Sequence, residues 1–284
     1  MTKKLRRNII IIIALLVVIV AAWFSLGPGL NKSKPETHTV TVGLVSEDKG
    51  SEAIWKEVAS KAKRDNNIIV KVKNFTDYNQ PNKALKSGDI DLNSFQHLAF
   101  LKSWNKANHG GIVPIGRTEV KPISLYSKKY KKLSQLPKGA TIAIPNDATN
   151  GSRSLIVLKN AGLIRLGKDK DLVTVADITE NPHNFKIKEV SAEQCGRMID
   201  SVDAAVVNSN FARPAGLGDK EKIFTEPFNK DTRQWINVIC ARKADAKNKD
   251  YQAVVKAYQT AKTKQLDKKY YGNDQIPVWD VKFK

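Results

Sequence analysis

Apolar and polar positions along residues 38–284 switch repeatedly between a period of two and a period near 3.6. His38 to Val45, HTVTVGLV, alternates and is β-branched, which predicts a strand. Ser51 to Arg64 carries Ile54, Trp55, Val58 and Ala62 at helical spacing, with Ser51 as the expected N-cap. Ile68 to Phe75 is strand-like again, so the chain opens with a strand–helix–strand unit and a parallel sheet is expected. The alternation continues through a short helix at Pro81–Lys86, a strand at Ile90–Leu92 and a helix at His97–Ala107. Strands follow at Ile112–Gly116, Ile123–Ser127 and Thr141–Pro145, then a helix at Ser152–Ala161 ended by Gly162. Phe185–Val190, Ala204–Val207 and Trp235–Ala241 are further strands. Ala192–Ser201 and Tyr251–Tyr270 are helices. The class is α/β, and the length suits two lobes better than one. In such sheets ligands sit beyond the carboxyl ends of strands, where this chain places Asp77-Tyr78, Phe95-Gln96-His97, Asn146-Asp147 and Asn208-Ser209-Asn210.

The N-terminus breaks this pattern. Lys3, Lys4, Arg6 and Arg7 precede an uncharged run from Ile9 to Leu26, eighteen residues long. That is near the ~20 a membrane-spanning helix needs, and a basic start before an apolar run is the pattern of an export signal. Trp23 and Phe24 interrupt the zone where a cleaved signal needs small residues, so an uncut signal-anchor is favoured over a cleaved one. No cysteine lies nearby to carry a lipid. The expected arrangement is a membrane segment within 1–30, a polar linker at 31–37, and a domain held outside the cell membrane. A cleaved and secreted form is the other possibility.

Charge adds less than it first suggests. The chain of 284 residues carries 48 Lys and Arg against 28 Asp and Glu, or +20. Four of those charges belong to the first thirty residues, leaving +16 beyond them. The basic residues are spread in clusters such as Lys128-Lys129-Tyr130-Lys131-Lys132 and are not gathered on one element with stacking aromatics. A solvated face is therefore expected and nucleic acid is not a partner. Two cysteines, Cys195 and Cys240, exclude a disulfide scaffold. Four scattered histidines have no metal-ligand spacing, and HExxH, G-x-S-x-G and CxxC are absent. Gly162 to Asp169 nearly matches a phosphate loop. Asp169 stands where a hydroxyl is needed, and the glycines follow a helix, so Gly162 reads as a helix terminator. No catalytic residue, metal or cofactor is expected, and the chain does not read as an enzyme.

Several segments together resemble one family. They are Asp77-Tyr78-Asn79-Gln80-Pro81-Asn82-Lys83-Ala84-Leu85, Gly88-Asp89-Ile90-Asp91 with Phe95-Gln96-His97, and Leu125 to Tyr130. Ile142-Ala143-Ile144-Pro145-Asn146-Asp147 with Asn150 and Arg153, Ala205 to Ala212, and Ile236-Asn237-Val238 complete the set. Six motifs in order, over residues 38–284, make the chain similar to the NlpA/MetQ-type methionine-binding proteins of ABC importers. The resemblance implies a type II periplasmic-binding fold of two α/β lobes on a hinge, with residues 38–123 plus 237–284 in one and 124–236 in the other. It implies methionine as ligand, and a permease with its ATPase as partners.

The resemblance also assigns a site: Tyr78, Phe95, His97, Asn150, Arg153, Asn208 and Asn237. A buried carboxylate is matched by a planar bidentate donor, so Arg153 is the expected partner of an amino acid's carboxylate. Asn150, three residues earlier, shares its helix face, and the helix N-terminus favours an anion. Asparagine amides satisfy ammonium or carboxylate alike. Tyr78, Phe95 and His97 match an aromatic wall for the thioether, with Gln96 supporting it. Ala99-Phe100, Val45-Ser46-Glu47-Asp48-Lys49 and Trp235 depart from the family pattern. L-Methionine is the expected ligand. Another small amino acid, D-methionine or a methionine dipeptide remains open, as does an unrelated role as a surface adhesin.

Overall fold

The computed structural model describes residues 3–26, 37–45, 48–167 and 170–281. Two compact units divide the chain, 1–37 and 38–284. The first contains helix α1 (Lys3–Leu26). Its side chains at 9–10 and 19–26 lie outside the described part. Among the described residues no helix is long and apolar enough to cross a membrane. The expected linker at 31–37 also lies outside the described residues, apart from Thr37.

The second unit runs β1 (His38–Val45), α2 (Lys49–Asn66), β2 (Ile68–Phe75), α3 (Gln80–Ser87), β3 (Leu92–His97), α4 (Leu98–Ala107) and β4 (Ile112–Val120). Then follow β5 (Ser124–Tyr126), β6 (Thr141–Pro145), α5 (Ala148–Asn160), β7 (Arg165–Leu166), β8 (Ile178–Glu180), β9 (Lys186–Val190), α6 (Ala192–Arg197), β10 (Ala204–Val207), α7 (Ser209–Ala212) and β11 (Lys222–Thr225). The chain returns through β12 (Ile236–Arg242), α8 (Lys249–Tyr258), α9 (Ala261–Tyr271) and β13 (Ile276–Pro277).

Two main sheets result. One has the order β13-β4-β12-β3-β1-β2 and the other β11-β5-β10-β6-β9. The chain crosses between them at 121–123 and again at 226–235. Neither sheet is wholly parallel as expected. β12 enters from the other sheet and runs antiparallel between β3 and β4, and β5 runs antiparallel to β10 and β11. The parallel strands β1, β2 and β3 of one sheet, and β6, β9 and β10 of the other, remain those joined through helices.

Each sheet has its own core. Val40, Val42 and Leu44 of β1 pack with Ile54, Trp55 and Val58 of α2 and Val254 and Tyr258 of α8. Ile142 and Ile144 of β6 pack with Leu155 and Leu158 of α5. Each such side chain, fully buried, contributes about 1.5–3 kcal/mol. A third cluster spans both sheets and includes Tyr78, Phe95, Val207 and Phe211. Cys195 and Cys240 are buried free thiols. Burial, then the charge of Glu193, pushes the Cys195 thiol up to about 12, so it stays protonated.

Several boundaries differ from expectation for local reasons. The N-cap of α2 is Asp48, with Ser51 completing a capping box: Asp48 accepts from the Ser51 amide at 2.9 Å, and the Asp48 amide donates to Ser51 Oγ at 3.3 Å. The third strand lies at Leu92–His97, after the expected Ile90–Leu92. The expected closing helix is two helices, parted at Gln259-Thr260, where Thr260 caps α9 through the Thr263 amide at 3.1 Å. Gly162 does end α5, with φ +73°. The Gly162 amide reaches the Lys159 carbonyl and the Leu163 amide the Leu158 carbonyl, a Schellman closure. Lys168 and Asp169 of the near phosphate-loop pattern lie outside the described residues.

Candidate functional site

The carboxyl ends of the parallel strands in both sheets meet at one cleft. Its non-atom space, open solvent included, is about 340 Å³. Tyr78, Phe95, His97, Asn150, Arg153, Asn208 and Asn237 all line it, so the structure brings together every expected residue. Tyr78 follows β2, Phe95 and His97 close β3, Asn150 and Arg153 sit on α5, Asn208 follows β10, and Asn237 opens β12 opposite His97.

α5 starts at Ala148, four residues before the expected Ser152. Asp147 caps it, accepting from the Asn150 amide at 2.9 Å, and so draws Asn150 and Arg153 into its first turns. Gly151 allows the close approach. A Cβ there would lie 2.8 Å from the Pro145 carbonyl oxygen.

The polar end is a chain of hydrogen bonds. The Asn150 side-chain amide donates to both Asp147 oxygens, at 3.1 and 3.0 Å. Asn150 Oδ1 accepts from Asn208 Nδ2 at 2.8 Å and from His97 Nε2 at 3.3 Å. His97 Nδ1 accepts from the Phe100 amide at 3.0 Å, which places the imidazole proton on Nε2. Burial and then the positive charge of Arg153 push the His97 pKa down to about 3 against the Asn150 hydrogen bond, so the ring is neutral at physiological pH. Asn208 Oδ1 is buried and without a partner, and Asn237 makes no side-chain hydrogen bond among the described residues. A buried acceptor left unpaired costs about 1–3 kcal/mol unless a ligand or water fills it.

Arg153 is 2% exposed. Its Nε donates to both oxygens of Glu226 at 2.9 and 3.2 Å. Its Nη2 donates to Glu226 Oε2 and to the Lys121 carbonyl at 3.0 Å. The guanidinium lies 4.6 Å from the centre of the Trp235 ring. Nη1 has no hydrogen-bond partner among the described residues.

The apolar end is an aromatic cluster. Tyr78 lies 5.7 Å from Phe95, 5.9 Å from Phe100 and 4.9 Å from Phe211, centroid to centroid. Phe100 also meets His97 edge-on at 6.2 Å. Burial, then the charge of Asp147, raises the Tyr78 phenol well above its usual value and keeps it neutral. Gln96, expected to support the wall, itself lines the cleft: Asn82 and Gln96 exchange hydrogen bonds at 2.8 and 2.7 Å, and Gln96 reaches Asn93 at 3.0 Å.

A second cleft of about 820 Å³ lies among Asp48, Trp55, Glu119, Arg213 and Tyr271. Its carboxylates already have partners: Asp48 with the Tyr271 hydroxyl, Glu119 with the Tyr258 hydroxyl at 2.8 Å and Lys121 at 3.3 Å. The smaller cleft holds the buried, unpaired Asn208 Oδ1 together with all seven expected residues, and it is the candidate site.

The profile of the NlpA lipoprotein family matches residues 40–279. The chain belongs to the NlpA lipoprotein family. It is 39% identical over 249 residues to the probable D-methionine-binding lipoprotein MetQ of Pasteurella multocida, covering 87% of this chain and 88% of the relative. Among solved structures, the substrate-binding protein of a methionine transporter from Streptococcus pneumoniae is 39% identical, with a TM-score of 0.81. That match covers 87% of this chain and all of the other. A nutrient-binding protein from Burkholderia cenocepacia bound to methionine is also 39% identical, with a TM-score of 0.79, over 84% and 99% of the two chains. The fold of this NlpA member is accordingly the two-lobe α/β fold of substrate-binding proteins, as expected.

Four residues that line the cleft or contact its lining have no role assigned by the sequence. Phe100 and Trp235 were noted only as departures from the family pattern, and Phe211 only as a motif position. Glu226 carried no signal, because its link to Arg153 spans 73 residues.

Proposed function

We propose that this chain is the substrate-binding component of an ABC importer and captures L-methionine in the cleft for a permease and its ATPase. Arg153 Nη1 receives the carboxylate, Asn208 Oδ1 takes the ammonium with Asn150 and Asn237 beside it, and Tyr78, Phe95 and His97 face the thioether. The observation that carries the reading is the pair of unmet groups at one end of an aromatic cleft: a guanidinium edge and a buried amide oxygen. These are the complements of a zwitterion, and sulfur–aromatic contacts add about 0.3–1.5 kcal/mol each. The lobes are proposed as 38–123 plus 237–284 and 124–236, closing over the ligand about the two crossings. Residues 9–26 are proposed to anchor the domain on the outer side of the membrane. The proposed role is binding, not catalysis, in keeping with the names that the relatives carry.

D-Methionine is the second reading, favoured by the printed names of the MetQ relatives. Calorimetry with L-methionine, D-methionine and a methionine dipeptide decides between them. The order of the three affinities names the ligand, and no heat or thermal shift with any amino acid would sink the transport reading.

A further inference from the structure

Arg153 is held by both crossings between the sheets. Lys121, on the first, supplies a backbone carbonyl at 3.0 Å, and Glu226, on the second, supplies its carboxylate to Nε and Nη2. Trp235, at the end of that second crossing, covers the guanidinium face at 4.6 Å. A guanidinium has five N–H donors. Three are taken here, and the two on Nη1 are left. Arg153 and Glu226 are both buried, at 2% and 9% exposure, and their charges cancel. Of the other groups around the cleft, His97 is neutral, Tyr78 keeps its proton, Lys121 pairs with Glu119 at 3.3 Å, and Asp147 adds a carboxylate, so no positive charge is left over. Asp147 is held as the helix cap by three donors from Thr149 and Asn150.

From this geometry we infer that Glu226 is a positioning and selectivity residue. It turns one edge of Arg153 toward the ligand and, by cancelling the arginine's charge, makes the cleft select a zwitterion over an anion of the same shape. This rests on the proposed reading of the cleft as an amino-acid site. A free amino acid brings no net charge, with its ammonium at Asn208 Oδ1. An N-acylated amino acid keeps the carboxylate but brings one uncompensated negative charge into a buried site with no spare positive charge, which is costly. Glu226→Gln would make the cleft one unit more positive and weaken that objection, while loosening the hold on Arg153.

The test is calorimetry on the full chain with L-methionine and N-acetyl-L-methionine, for the wild type, Glu226→Gln and Glu226→Asp. Ligand-free thermal unfolding reports whether each variant is folded. Glu226→Gln is expected to bind methionine about tenfold or more weakly, and to narrow the preference for methionine over its N-acetyl form by about tenfold. Glu226→Asp keeps the charge with a shorter arm, so it weakens methionine while leaving the preference near that of the wild type. If Glu226→Gln fails to fold, an altered preference in Glu226→Asp overturns the inference by itself. Equal weakening of both ligands in Glu226→Gln, or no change in either, overturns it and leaves the methionine reading standing. A wild type that binds neither ligand overturns both.

Discussion

The two ends of the cleft are built on different principles. The apolar end, chiefly Tyr78, Phe95 and Phe100 on the side of the six-stranded sheet, is held by ring contacts at 5.7–5.9 Å. Such contacts depend on area and tolerate small shifts. The polar end, Asn150, Arg153, Asn208 and Glu226 on the side of the five-stranded sheet, is held by directional hydrogen bonds in a buried setting. Removing one partner there strands another group without water. The difference teaches where discrimination resides. The polar end decides whether a molecule is an amino acid at all, and the aromatic end ranks side chains by modest increments. Phe211 is the exception. It reaches across from the second side to lie 4.9 Å from Tyr78, tying the ends together.

Arg153→Ala should break this asymmetry most severely. It removes the carboxylate's donor and strands Glu226, so ligand affinity is expected to fall by about 2–5 kcal/mol or more, roughly thirtyfold at the least. Calorimetry with L-methionine measures this, and retained affinity would remove Arg153 from the site. Gly151→Ala acts on the same end without touching the ligand. Its Cβ would meet the Pro145 carbonyl oxygen at 2.8 Å, so the first turn of α5 must move. A cost of about 1–3 kcal/mol in unfolding stability is expected, together with weaker binding. An unchanged melting temperature and affinity would mean that α5 has slack that the packing does not show.

The aromatic end should yield smaller numbers. Phe95→Leu keeps an apolar side chain and removes a ring, so methionine affinity is expected to fall by about 0.3–1.5 kcal/mol, less than a tenfold to about a tenfold loss. The sharper reading is the preference for methionine over norleucine, which should shrink as the sulfur loses its aromatic neighbour. A loss as large as that of Arg153→Ala would erase the distinction between the two ends.

How far this was legible in the chain also follows the two principles. β1, β2, β6 and β10 stand at the expected residues, because β-branched alternation and short apolar runs read directly as strands. β3 was misplaced because its inward side chains are polar. Asn93 and Gln96 are buried amides that satisfy one another, and hydrophobic periodicity cannot see such a strand. The break at Thr260 was hidden because helical spacing continues across it. Of the cleft, the residues in the recognisable motifs converged as expected. Glu226 could not be found from the sequence, since a buried acid resembles a surface acid until its arginine is located. Phe100 reads only as a departure from the family pattern, and Phe211 only as a motif position.

His97 joins the two ends and offers the finest test. It lies on the aromatic side, yet its Nε2 donates to Asn150 across the cleft at 3.3 Å. Its pKa falls from 6.5 to about 3 on folding, through burial and the charge of Arg153. The unfolded chain therefore binds a proton at this position between those values and the native chain does not. Its contribution to stability is complete above pH 6.5 and is lost as the pH falls through that window toward 3. His97→Gln keeps an N–H donor and abolishes the titration. The stability of the wild type relative to this variant should be constant from pH 7 to 8 and should decline steadily as the medium is acidified below about 6.5. Urea titrations of both proteins across that range measure the difference. A flat difference would mean that His97 takes up its proton as readily in the cleft as in the unfolded chain, and the aromatic end would then be far wetter than its packing shows.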